Sequence, residues 1–371
     1  MSTAILSESV IETAKKTTLW YTRCPCATAF SVAWQQGAID AEFANDKDVE
    51  FLSLQQSPDP KVHQSHYTHT QPNSFRYGGN IPAIWARSRG ADTRLVGLGW
   101  TTVPHPIITL PDSGIRTVAD LKGKRLLVVN READPIVDFS RITTLRTYET
   151  ALATAGLTLA DVKLVEIAIN RPRQDTKAIA ESRIKSLAGN ALTRRGANRE
   201  AYFALIRGEV DAIAFPAASG IEAIGFLGAH VVYDVANNPQ KVARANNSYP
   251  EALTISGKLI DEHPDLVARV VLRLLEAGKW AKENPAKATA FVAREQSVVD
   301  EIIEATYGPQ LVDVFATDLD ADKIATLRSQ KDYLLKNGYI QDFDFDAWID
   351  PRPLEAAKKL FVERHGVNVL V

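Results

Sequence analysis

The sequence predicts an α/β protein built as two lobes, and three observations point that way. The chain has 371 residues, which at roughly 100–200 residues per domain implies two domains or one bilobed unit. Short β-rich runs alternate with helical patterns along most of its length. Apolar residues are 45% of the chain and charged residues 24%, and the apolar ones are spread throughout, so global disorder is excluded. Alternation on this scale implies mixed or parallel sheets covered by helices.

Taken in order, Thr17–Thr22 (TTLWYT) reads as the first strand. A helical pattern follows from Pro25 to Gln36 and stops at Gly37. Val49–Leu54, Arg94–Trp100 and Ile107–Leu110 read as the next strands. Prolines 58, 60 and 72 suggest that the segment between them is loop rather than helix. Leu126–Val129 opens a new block after the turn-like Leu121-Lys122-Gly123-Lys124, with a helix over Ile142–Ala155 and a strand over Val162–Ile169. Arg199–Arg207 reads as helix, and Ala212–Phe215 and Val231–Val235 as strands. Helices dominate the remainder. In Pro264–Glu283 the residues Leu266, Val267, Val270, Val271, Leu274 and Leu275 form a 3.6-residue apolar stripe.

Charge and composition exclude several functions. With 43 Lys+Arg against 45 Asp+Glu, the net charge of −2 argues against a nucleic-acid partner, which needs a basic excess. No apolar run approaches the roughly 18 residues of a membrane span. Ser7, Glu8 and Ser9 interrupt the N-terminal apolar residues, so no secretory signal is visible and a cytoplasmic location is expected. The two cysteines, Cys24 and Cys26, are too close for an unstrained disulfide.

The candidate chemistry lies in two stretches. In Arg23-Cys24-Pro25-Cys26, Cys24 ends a strand and Pro25 suits the first position of a helix. A thiol at such an N-cap has its pKa lowered, which suits a nucleophile. A buried structural cysteine is the competing reading, and packing is expected for Cys26. The second stretch runs from His66 to Gly79. His66 can orient or deprotonate a thiol, and Arg76 can bind two oxygens of an acidic ligand. Gly78-Gly79 before Asn80-Ile81-Pro82 looks like a turn opening a helix, with N–H groups free to face an anion. His63, His66 and His69 repeat every third residue, but that spacing drifts around a helix and lacks a carboxylate partner, so no metal site is expected. Trp20, Tyr67, Phe75, Tyr77 and Trp100 are available as an apolar wall, with Tyr67 and Phe75 the preferred substrate contacts and core packing the alternative.

Longer phrases carry a resemblance. Thr117–Val128 (TVADLKGKRLLV), Leu205–Phe215 (LIRGEVDAIAF) and Pro264–Arg294, with Trp280 and Asn284-Pro285, resemble type-two periplasmic binding proteins, in their sulfonate, nitrate and thiamine-precursor branch. The resemblance covers residues 17–340. It implies two mixed sheets flanked by helices, with a ligand cleft between the lobes and crossings near 108–113 and 233–240. Lobe one would be 1–110, lobe two 111–234, and 235–371 the return to lobe one with the C-terminal helices. A small anion is the ligand such a fold implies, and monomers are usual in it.

A narrower resemblance rests on YTRCP at the first strand end, LSLQQ at Leu52–Gln56, and H-Y-T-x-x-Q-P-x-x-x-R-Y-G-G at His66–Gly79. These resemble the hydroxybiphenyl sulfinate desulfinases, binding-protein folds turned into cytoplasmic enzymes that cleave an aryl C–S bond and release sulfite. The chain departs from them by extra residues between Gln56 and His66 and by a second lobe that matches only in fold-level phrases. The resemblance implies catalytic roles for Cys24, His66 and Arg76, oxygen binding by Arg76 with the N–H of Gly79, and no cofactor; Gly78 is a candidate substrate contact through the turn it forms with Gly79. It leaves open whether Cys24 attacks sulfur or protonates the ring carbon. The alternatives are a transporter's sulfonate-, taurine- or nitrate-binding protein and a thiamine-pyrimidine synthase-like enzyme, whose own histidine- and cysteine-rich motif is not seen.

Overall fold

A computed structural model describes residues 16–100, 102–130, 136–168 and 198–367. The first lobe is built on a six-stranded sheet. Its strands are β1 (Thr17–Arg23), β2 (Val49–Ser53), β3 (Ser74–Gly78), β4 (Thr93–Gly99), β10 (Glu251–Ser256) and β11 (Thr317–Asp318). Across the sheet they run β11-β4-β10-β3-β1-β2. β1 is parallel to both β2 and β3, while β10 returns antiparallel between β3 and β4. β3 and β10 are short, five and six residues, and neither carries a long apolar run that marks a strand in the sequence.

The second lobe holds β5 (Pro106–Thr109), β6 (Arg125–Asn130), β7 (Lys163–Ala168), β8 (Ile213–Ala214) and β9 (His230–Asp234). β5 lies between β8 and β9, β6 pairs with β7, and a Leu126–Ala212 bridge links the two groups. Because β5 pairs in this sheet, the chain crosses between Gly99 and Pro106, earlier than the expected 108–113 and the expected boundary at residue 110. It re-enters the first sheet at Glu251. The expected strand's last residue, Ile169, lies outside the described residues.

Helices cover both sheets. The helix expected from Pro25 starts later: α1 spans Ala29–Gln35, because the Thr28 hydroxyl accepts the Ser31 N–H and serves as its N-cap. Next come α2 (Ala38–Glu42), α3 (Pro60–Thr68), α4 (Asn80–Ser88) and α5 (Phe139–Ala153). The proline-rich segment expected to be loop therefore contains α3. Asp59 caps it, Pro60 occupies the first turn where no N–H is needed, and His69 ends it in the left-handed region at φ 54°. Further helices are α6 (198–206), α7 (Ala217–Leu227), α8 (Gly257–Glu262) and α9 (Pro264–Glu283). α9 buries Val267, Val270, Val271, Leu274 and Leu275 in the first lobe's core, with Leu266 partly buried beside them. Truncating one of the buried leucines to alanine costs about 2–5 kcal/mol.

Candidate active site

The site is assembled at the end of β1. β1 and β3 run side by side with Thr22 opposite Arg76 and Arg23 opposite Tyr77. Continuing that register sets Cys24 against Gly78, and the Cys24 N–H donates to the Tyr77 carbonyl at 3.2 Å. The close approach requires glycine: a Cβ at residue 78 would lie 2.7 Å from the Cys24 Cβ and nearer still to its sulfur. Cys24 is not at a helix N-cap as expected. It sits in the bend before α1, so the helix dipole does not act on it at first turn range.

Other groups act on it instead. His66, on α3, places Nε2 3.8 Å from the Cys24 Sγ. Arg76, 3% exposed, directs an Nη2–H at the same sulfur from 3.7 Å. A hydrogen bond from Cys26 contributes most to lowering the Cys24 thiol well below its ordinary pKa; the positive charge of Arg76 and the His66 ring add to it, against the opposing effect of burial. Cys26 moves the other way. Its bond to Cys24, burial and the nearby Glu251 carboxyl hold its thiol well above the ordinary value. Glu251 is 5% exposed, and burial pushes its own pKa up to about 8. Two thiols two residues apart thus have opposite proton affinities.

Arg76 is held more tightly than a free oxygen clamp. Its Nε–H donates to the His66 carbonyl at 2.9 Å and Nη1–H to the Gly79 carbonyl at 2.8 Å. It ties α3, β3 and the start of α4 together and presents mainly its Nη2 edge to the thiol. The Gly78-Gly79 turn does open a helix, with Gly79 at the N-cap of α4. The first helical N–H groups are not free, however. Asn80 N–H donates to the Asn247 carbonyl at 2.7 Å and Ile81 N–H to Asn247 Oδ1 at 3.0 Å. Asn247 was not legible in the sequence because it lies more than 160 positions away.

The aromatic residues divide. Phe75 is fully buried in the first lobe's core, 5.8 Å from Phe51, on the opposite face of β3 from Arg76. The expectation that it contacts substrate is therefore wrong, for the reason that side chains alternate along a strand. Tyr77 shares that buried face and bonds Thr317. Tyr67 is half-buried, stands perpendicular to the His66 ring with centroids 4.5 Å apart, and stacks at 6.2 Å on Phe139 of the second lobe. Phe139 is a site neighbour that the sequence did not reveal. Trp100 packs on Tyr249 at 4.2 Å.

The three histidines take separate partners. His63 bonds the Ser57 carbonyl, His66 faces Thr22 and Cys24, and His69 is buried at the end of α3. Among the described residues no cluster of three metal-ligating side chains occurs, and no helix is long and apolar enough to cross a membrane.

Comparison with known proteins extends this picture. The protein 2'-hydroxybiphenyl-2-sulfinate desulfinase from Rhodococcus erythropolis is 27% identical over 364 residues, which span 92% of this chain and 94% of that protein. This chain resembles a desulfinase. A crystal structure of a cysteine-to-serine mutant of the desulfurization enzyme DszB, in complex with biphenyl-2-sulfinic acid, matches with a TM-score of 0.70 and 25% identity. That match covers 94% of this chain and 99% of the other. The periplasmic sulfonate-binding protein SsuA from Methylobacillus flagellatus KT matches with a TM-score of 0.65 at 15% identity, over 95% and 96% of the two chains. A family model described as NMT1/THI5 like matches residues 56–193. The bilobed binding-protein fold and the desulfinase resemblance read from the sequence are both borne out.

Proposed function

We propose that the chain is an aryl sulfinate desulfinase that hydrolyses a carbon–sulfur bond and releases sulfite, acting on hydroxybiphenyl sulfinate or a related aryl sulfinate. The observation that carries this reading is the Cys24 sulfur set 3.7 Å from Arg76 Nη2 and 3.8 Å from the His66 ring nitrogen Nε2, and the lowering of the thiol pKa agrees with it. In the reading, the sulfinate anion docks against the Arg76 edge with its aryl group toward Tyr67 and Phe139. The Cys24 thiolate forms a bond to the sulfinate sulfur, and the aryl–sulfur bond breaks. The electron pair of that bond stays on the ring carbon, which takes a proton drawn from water. Water then attacks the sulfur of the resulting adduct, the thiolate leaves, and bisulfite departs. The sum is one aryl sulfinate plus one water giving one arene plus one bisulfite. The lowered pKa supports this route over proton donation from Cys24 to the ring, which wants the thiol form.

A sulfonate-binding protein is the second reading, favoured by the fold it shares with SsuA. One experiment separates them: incubate the purified protein with hydroxybiphenyl sulfinate and simpler aryl sulfinates, and measure sulfite. Stoichiometric ligand retention with no turnover across the panel would overturn the enzyme reading. Mass spectrometry of a quenched reaction should find the sulfur dioxide adduct on Cys24. Turnover without any such adduct would favour the proton-donor route.

A further inference from the structure

We infer that Thr22 and Gln55 are positioning residues that fix the tautomer of His66, keeping its proton on Nε2 so that the ring donates to the Cys24 sulfur. The inference rests on the reading of Cys24 as the reactive sulfur and adds residues to which neither the motifs nor the comparisons assign a role.

Ser53, at the end of β2, takes the Gln55 backbone N–H on its hydroxyl oxygen at 3.3 Å. Its own hydrogen goes to Gln55 Oε1 at 2.7 Å. That sets the amide with its oxygen toward Ser53 and its nitrogen toward β1. Gln55 Nε2–H then donates to the Thr22 hydroxyl oxygen at 2.9 Å. Thr22 is 1% exposed, and among the described residues its hydroxyl meets just this amide and the His66 Nδ1 at 2.6 Å. With one neighbour already donating, the Thr22 hydrogen is left for Nδ1. The opposite tautomer would bring a second donor to the hydroxyl and strand its hydrogen in a buried site. Nδ1 therefore accepts, and the proton of the neutral ring lies on Nε2, facing the sulfur 3.8 Å away.

The consequence for chemistry is direct. Arg76 on β3 and His66 on α3 both donate toward Cys24. Cys26, in the bend after β1, is the third group facing it, and Glu251 on β10 lies beside Cys26. With the ring fixed as a donor, His66 stabilises a thiolate that is already formed and does not wait to remove its proton.

Two measurements without substrate test this. Nitrogen-15 spectra of histidine-labelled protein, with His66 assigned by loss of its signals in His66→Gln, should show the Nε2–H form in the wild type and in Thr22→Ser. Thr22→Val, of equal shape but without the hydroxyl, should shift His66 toward the Nδ1–H form. Gln55→Leu should shift it partly. The rate of Cys24 alkylation by iodoacetamide, mapped separately from Cys26, should fall about tenfold near pH 6 in Thr22→Val and stay near the wild-type rate in Thr22→Ser. An Nδ1–H form in the wild type overturns the inference, as does an unchanged tautomer in both Thr22→Val and Gln55→Leu. Sulfite release is scored separately: its absence from the wild type, with the tautomer as expected, removes the desulfinase reading and leaves the positioning role standing.

Discussion

The two sides of the bend after β1 hold the same functional group in opposite conditions. On one side Cys24 meets a guanidinium, an imidazole and a thiol that donates to it, and its pKa falls. On the other, Cys26 meets the buried carboxyl of Glu251 and the Cys24 sulfur itself, and its pKa rises. The backbone joins them closely, with the Cys26 N–H donating to the Cys24 carbonyl at 2.8 Å. Reactivity here is therefore decided by the bond between the two thiols together with the groups each one faces, Arg76 on β3 and His66 on α3 for Cys24 and Glu251 on β10 for Cys26.

The sharpest way to break the contrast is to remove the sulfur on the reactive side. Cys24→Ser should lower sulfite release by on the order of 10³-fold or more while circular dichroism and the melting curve stay near wild type. Full activity in that variant would remove Cys24 from the chemistry. Gly78→Ala comes next. Its new Cβ would push the Cys24 side chain away from His66 and Arg76, and a displacement of about 1 Å costs roughly 10²-fold in kcat/KM.

Arg76→Lys should lower kcat/KM by roughly 10–100-fold, because a single ammonium cannot serve the His66 and Gly79 carbonyls and the sulfur together. It should also lower Tm. Unchanged kcat and KM would make Arg76 purely structural. On the quiet side of the bend, Cys26→Ala removes the hydrogen bond that contributes most to lowering the Cys24 pKa. The alkylation midpoint of Cys24 should then rise by about one pH unit, the worth of one modest hydrogen bond. An unmoved midpoint would assign the low value to Arg76 and His66 alone.

Glu251 gives the smallest functional effect, read as stability. Its folded pKa of about 8 stands above the ordinary 4.5, so the folded state holds its proton longer than the unfolded chain does. The stability it contributes is complete below about 4.5 and is lost as pH rises toward 8. Glu251→Gln should flatten the denaturation midpoint between those pH values, gaining on the wild type by on the order of 2–4 kcal/mol at the alkaline end. Parallel pH profiles for the two proteins would contradict this.

Much of the first lobe's chemistry is legible in the sequence. A thiol after a β-rich run, and a histidine, an arginine and a glycine pair within 14 positions, are unusual enough residue types to mark themselves. What surrounds them was not. β3 hid because its five residues carry just two apolar ones, Phe75 and Tyr77, too short an alternation to signal a strand, and α3 hid behind prolines that in fact flank or start it. Phe75 was misjudged because nearness in sequence to Arg76 says nothing about the face of the strand. Thr22, Gln55, Asn247 and Glu251 carry no signal of their own; they matter through what they touch.

The amino-acid sequence by itself determined the alternation of strands and helices, the resemblance, and the inventory of reactive groups, since these depend on local periodicity and residue type. The tertiary structure decided which thiol is acidic, which donors Arg76 still offers, and where the His66 proton lies. Those depend on cross-strand register and on contacts between segments as far apart in the chain as Cys26 and Glu251, with hydrogen-bonding distances of 2.6–3.8 Å around Arg76 and His66.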